Sequence, residues 1–83
     1  LYDEVSGRYM EVFTDLPGIQ FYTGNFLDGS LTGKDGAKYI QRSGLCFETQ
    51  YFPNAINVSS FEQPVTKAGE TYHTETIYKF SVK

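Results

Sequence analysis

Residues 71–82 read TYHTETIYKFSV, and their alternation sets the fold class. Tyr72, Thr74, Thr76, Tyr78, Phe80 and Val82 fall on one side of an extended chain, and His73, Glu75, Lys79 and Ser81 on the other, with Ile77 as the exception. A period of two with aromatic and β-branched side chains is the pattern of a strand with one covered face. Upstream, SGLCFETQYF (43–52) sets Leu45, Phe47 and Thr49 against Cys46, Glu48 and Gln50. Further upstream, IQFYT (19–23) sets Ile19 and Phe21 against Gln20 and Tyr22. YMEVFT (9–14) has strand composition with no Gly or Pro. In the DLPG that follows, Pro17 fixes φ and Gly18 can take positive φ, which predicts a type II turn over Leu16–Ile19. AKYIQR (37–42) is read as the start of another strand. Between these runs, DGSLTGKDG (28–36) is a loop, and PNAINVSSFEQPVTKAGE (53–70) is irregular chain held to a surface by Ile56 and Phe61. No window of about eleven residues or more carries a helical period, so the expected class is all-β and antiparallel.

Composition narrows the function classes. The chain has 83 residues, enough for a small core of marginal stability. Seven Tyr and seven Phe bring more apolar surface than a lone small sheet covers. The single cysteine, Cys46, excludes an internal disulfide and any cysteine-based zinc site built from this chain alone, and it favours a reducing, cytoplasmic setting. A formal net charge of −3, with basic residues scattered, argues against nucleic acid as a partner. Nothing approaches the roughly 18 consecutive apolar residues of a membrane helix, and no secretory leader pattern is seen. The chain opens on Leu1, a start compatible with missing upstream sequence.

Several motifs tempt and fail. GSLTGKDG has the wrong glycine spacing for a phosphate loop, and Asp35 rather than Ser or Thr follows Lys34. As a calcium loop, DGSLTG would need a glutamate where Tyr39 stands. Asn57-Val58-Ser59 meets the glycosylation pattern without other secretory signals. The acid inside the 43–52 strand is harder to dismiss. A strand glutamate ordinarily faces water. Here its alternate neighbours are Cys46 and Gln50, not the Lys, Arg or Thr of a wet face, so this side is expected to line a partly enclosed cleft. Enclosure would raise the proton affinity of Glu48 toward that of a useful general base. Gln20, projecting from its own aromatic strand, offers an amide that suits neutral hydroxyls.

The stretches PGIQFYTGNFLDG (17–29), ETQ (48–50) followed by Pro53, and AGETYHTETIYKFSV (68–82) resemble the carboxy-terminal part of the galactose mutarotase (aldose 1-epimerase) family. The likeness covers nearly the whole chain. It implies that residues 1–83 are the C-terminal segment of an aldose 1-epimerase domain, incomplete without upstream sequence, and contribute the last strands of a large antiparallel β-sandwich. It implies interconversion of the α and β anomers of an aldohexose, a small-molecule substrate, with no cofactor and no metal. By motif, Glu48 corresponds to the family's catalytic base, Gln20 to a sugar-binding residue, and Phe21 to a wall of the pocket. The family's catalytic acid and its remaining sugar ligands belong to motifs upstream of Leu1, and His73 lies outside the active-site motifs. Where the family has Pro-Asp after ETQ, this chain has Pro53-Asn54. Related hexose-6-phosphate epimerases would need a cationic phosphate clamp that this stretch does not supply. Two other classes stay open on the residues alone: a non-catalytic carbohydrate-binding β-module, and a structural end-piece completing a larger sheet.

Overall fold

The computed structural model describes residues 1–83 and contains four strands and two short 3-10 turns. β1 spans Arg8–Thr14, β2 Gly18–Tyr22, β3 Cys46–Gln50 and β4 Thr76–Val82. They form two antiparallel ladders of two strands each, β1 with β4 and β2 with β3. The all-β, antiparallel expectation holds. No helix is long and apolar enough to cross a membrane.

In the first ladder, Arg8 pairs with Val82 and Thr14 with Thr76. The register gives Ile77, the residue that breaks the polar side of β4, an apolar partner in Phe13, and sets Glu11 opposite Lys79 at 3.3 Å. The opposite face carries Met10, Val12 and Thr14 beside Thr76, Tyr78 and Phe80, as period-two alternation requires. The first residues fold back on β1: Met10 N–H donates to the Leu1 carbonyl at 2.9 Å and Tyr2 bridges Tyr9. Their turn is closed by Asp3, whose carboxylate accepts from Ser6 Oγ and Val5 N–H.

Three local expectations are corrected. Gly18 does not adopt positive φ, and it opens β2, so Leu16–Ile19 is not a type II turn. The physical reason lies in packing: a Cβ on Gly18 would sit 2.8 Å from two ring carbons of Phe52, so glycine serves a close approach rather than a left-handed backbone. AKYIQR forms no strand. Its hydrogen bonds turn back into the preceding loop, with Gly29 N–H donating to Tyr39 O, Tyr39 N–H to Leu31 O and Gly33 N–H to Ala37 O, and Arg42 leaves the extended region at φ 60°. The last strand begins at Thr76 rather than Thr71, where Glu75 N–H is taken by the Asp15 carboxylate at 3.0 Å.

The irregular 53–70 stretch is anchored at Ala55, one of only two buried residues. Gln63 Nε2 lies 2.8 to 3.0 Å from the carbonyls of Ala55, Val58 and Phe61, and Phe61 meets the Phe52 ring edge-on at 5.0 Å. Asn54 takes the left-handed conformation at φ 62°, which Asn tolerates better than most residues, and accepts from Asn57 Nδ2 at 2.7 Å.

Candidate functional site

The β2–β3 register determines which candidate residues share a face. Gly18 pairs with Gln50, Gln20 with Glu48, and Tyr22 with Cys46. Directly opposed residues of an antiparallel pair project to the same side, with Cβ atoms about 4.5–5.5 Å apart. Gln20 and Glu48 therefore stand side by side, with an amide and a carboxylate presented together, although 28 positions separate them in the chain. Periodicity within each strand orients one residue relative to its own neighbours; only the register brings the two together.

The other face of this ladder is apolar. Phe21 pairs with Phe47, and the rings stack with centroids 4.8 Å apart and planes 13° from parallel. Phe21 is thus turned away from Gln20 and Glu48, and the structure does not bring it to their side. It braces the sheet beneath them. Beyond Phe47, an open groove of about 590 Å³ runs between the two ladders, lined by Tyr9, Met10, Leu45, Phe47, Tyr78 and Phe80. This groove therefore lies behind the sheet from Glu48.

The cleft expected around Glu48 is not formed by this chain. Cys46, Glu48 and Gln20 are all exposed, while Gly18, Tyr22 and Gln50 on that face are half-buried. Two strands provide a floor without walls, because the nearest long connections, 28–45 and 53–75, do not fold over it to bury it. The only ion pair in the chain, Glu11–Lys79, belongs to the other ladder, so no cation partners Glu48. No three His, Cys, Asp or Glu side chains come together as a metal-binding group. His73 is exposed, outside the strands.

Hydrogen bonds behind Glu48 went unread in the sequence. Tyr78 Oη donates to the Phe47 carbonyl at 2.7 Å, and Thr76 Oγ1 lies 2.7 Å from Thr49 Oγ1 and 3.2 Å from Thr14 Oγ1. Alternation put Thr76 and Tyr78 on one face of β4, a signal that they reach a common neighbour. It could not say that the neighbour is β3.

The aldose 1-epimerase family pattern matches residues 1–79. The galactose mutarotase of Sus scrofa is 57% identical over 77 residues, which are 93% of this chain and 22% of that protein. The Homo sapiens galactose mutarotase is 54% identical over the same shares. The aldose 1-epimerase of Escherichia coli (strain K12) is 34% identical over 73 residues, 86% of this chain and 21% of that protein. The chain thus spans about a fifth of the length of the curated relatives it matches. With a family match running through both ladders and the strand that carries Glu48, the chain belongs to the aldose 1-epimerase family.

Proposed function

We propose that this chain is part of an enzyme that interconverts the α and β anomers of aldohexoses such as galactose and glucose, with Glu48 as general base and Gln20 as a sugar-binding residue. The observation that carries the reading is the direct cross-strand pairing of Gln20 with Glu48 in a chain of this family. The ionised Glu48 carboxylate removes the proton from the C1 hydroxyl while an acid from the remainder of the protein protonates the ring oxygen. The C1–O5 bond breaks, and the sugar opens to its free aldehyde. Rotation about C1–C2 presents the other carbonyl face, and the proton transfers reverse as the ring closes. Protons move but no net oxidation occurs, so the chemistry calls for neither a redox cofactor nor a metal. Gln20 holds a hydroxyl and fixes the ring against Glu48. Phe21 enters as support from behind the sheet rather than as a wall on the sugar side.

In this reading the two ladders belong to a larger antiparallel β-sandwich in a cytoplasmic enzyme. Upstream chain supplies the acid and closes the open floor around Glu48. The test is polarimetry of freshly dissolved α-D-galactose and α-D-glucose with the full-length protein. Glu48→Gln is expected to lower turnover by about 10²- to 10⁴-fold while sugar binding persists. Turnover at the parental rate in that variant would remove Glu48 as the base. Gln20→Ala is expected to weaken sugar binding by about 1–3 kcal/mol, and unchanged affinity would take Gln20 out of the site.

A further inference from the structure

The hydrogen bonds that join the two ladders converge on the residues flanking Glu48. Tyr78 Oη reaches the carbonyl of Phe47, the residue before it, and Thr76 Oγ1 reaches Thr49 Oγ1, the residue after it, both at 2.7 Å. Thr76 is itself held by Thr14 Oγ1 at 3.2 Å, and Thr14 Oγ1 accepts from Leu16 N–H at 3.1 Å. A line of three hydroxyls thus runs from the end of β1 through β4 to β3. On the same side, the Phe47 ring is stacked on Phe21. Glu48 itself points the other way, and on its own face no salt bridge fixes it.

We propose that Tyr78 and Thr76 are positioning residues for Glu48. This rests on the reading of Glu48 as the general base. In a strand, the direction of a side chain is set by its own Cα and the peptide planes on either side. Those planes belong to residues 47 to 49, the ones β4 grips. No side chain of this segment forms an ion pair with Glu48, and a shift of about 1 Å in a reacting group can cost about 10²-fold in rate. The tethers act from behind, touching neither sugar nor carboxylate. They leave the sugar face unobstructed while limiting how far β3 can tilt or slide beneath the substrate.

The experiment is steady-state mutarotation by the full-length protein carrying Tyr78→Phe, Thr76→Val, Thr76→Ser or Glu48→Gln, with melting temperatures recorded alongside. Tyr78→Phe and Thr76→Val keep side-chain volume nearly constant. Tyr78→Phe and Thr76→Val are expected to lower kcat by about tenfold or more with KM changed by less than about twofold, and Thr76→Ser, which restores the hydroxyl, to return kcat to within about twofold of the parent. A purely structural tether would lower the melting temperature and leave kcat per folded molecule unchanged; that result overturns the proposal. If Thr76→Val fails to fold, Tyr78→Phe decides it. Should Glu48→Gln be inactive while both tether variants turn over at the parental rate, the base reading stands and the positioning role falls. Should Glu48→Gln turn over normally, both fall.

Discussion

At the scale of single residues, Gly18 and Asn54 show how one side chain, or its absence, holds the ground around β3. Gly18 pairs with Gln50, two residues beyond Glu48, and the Phe52 ring occupies the space a Cβ would need, 2.8 Å away. Gly18→Ala is expected to destabilise the parent protein by about 1–3 kcal/mol, read from chemical denaturation, because Phe52 must leave a seat it shares with Phe61. Asn54 sits at positive φ, a region that Asp also tolerates. Asn54→Asp should therefore leave stability nearly unchanged, whereas Asn54→Ala, which also loses the bond from Asn57 Nδ2, is expected to cost about 1–2 kcal/mol by the same measurement. The identity of Glu48 and Gln20 as candidates was legible from their motifs and their place in apolar strands. That they stand opposite each other was not, because register depends on a partner strand that neither stretch encodes. The Asp3 carboxyl is held below its ordinary value of 3.8, first by the Ser6 hydroxyl and then by Val5 N–H. A depressed value means the turn is at full strength above that pH and loosens as pH falls through the lower, folded-state value, which the Val5 and Ser6 amide shifts would follow in an NMR titration.

At the scale of elements, the strands with strict alternation were the readable ones. β2, β3 and β4 coincide, to within a residue at β2, with parts of stretches identified by a period of two, whereas β1 was marked by its aromatic and β-branched composition. What failed were the AKYIQR strand, the DLPG turn signature and the first five residues of the 71–82 alternation. AKYIQR has strand-like residues, but its amides are spent on carbonyls in its own loop, and DLPG joins strands of different ladders rather than the arms of a hairpin. The 53–63 connection depends on one amide, Gln63 Nε2, bonded to three carbonyls. Gln63→Ala should raise amide exchange of Asn57, Val58 and Phe61 in the full-length protein by about tenfold or more, with little change in the strands. Lys79 and Glu11 face each other across β1 and β4 with the lysine largely in water, so Lys79→Met is expected to change stability by less than about 1 kcal/mol in denaturant melts.

At the scale of the whole molecule, the two ladders leave much apolar surface in water. The chain exposes 6789 Å², against about 5,000 Å² for a compact folded protein of 9.4 kDa. Its radius of gyration is 16.9 Å, where about 12 Å would suit a compact domain of this length. Phe26 is 90% exposed and Phe80 74%, the latter lining the groove between the ladders. The excess of aromatics visible in the composition is accounted for by these uncovered faces. The 83-residue chain on its own is expected to unfold without a sharp cooperative transition, to bind a hydrophobic dye and to show no mutarotation; a sharp melt with native-like near-UV dichroism would contradict this. Because each ladder has only two strands, β2, β3 and β4 each keep one border of amides and carbonyls unmated, while that of β1 is partly taken up by Leu1–Asp3. Free copies at high concentration would therefore tend to zip onto one another, so dilution and speed of assembly, more than temperature, would govern whether the polypeptide ends up in a working molecule or in a fibrous precipitate.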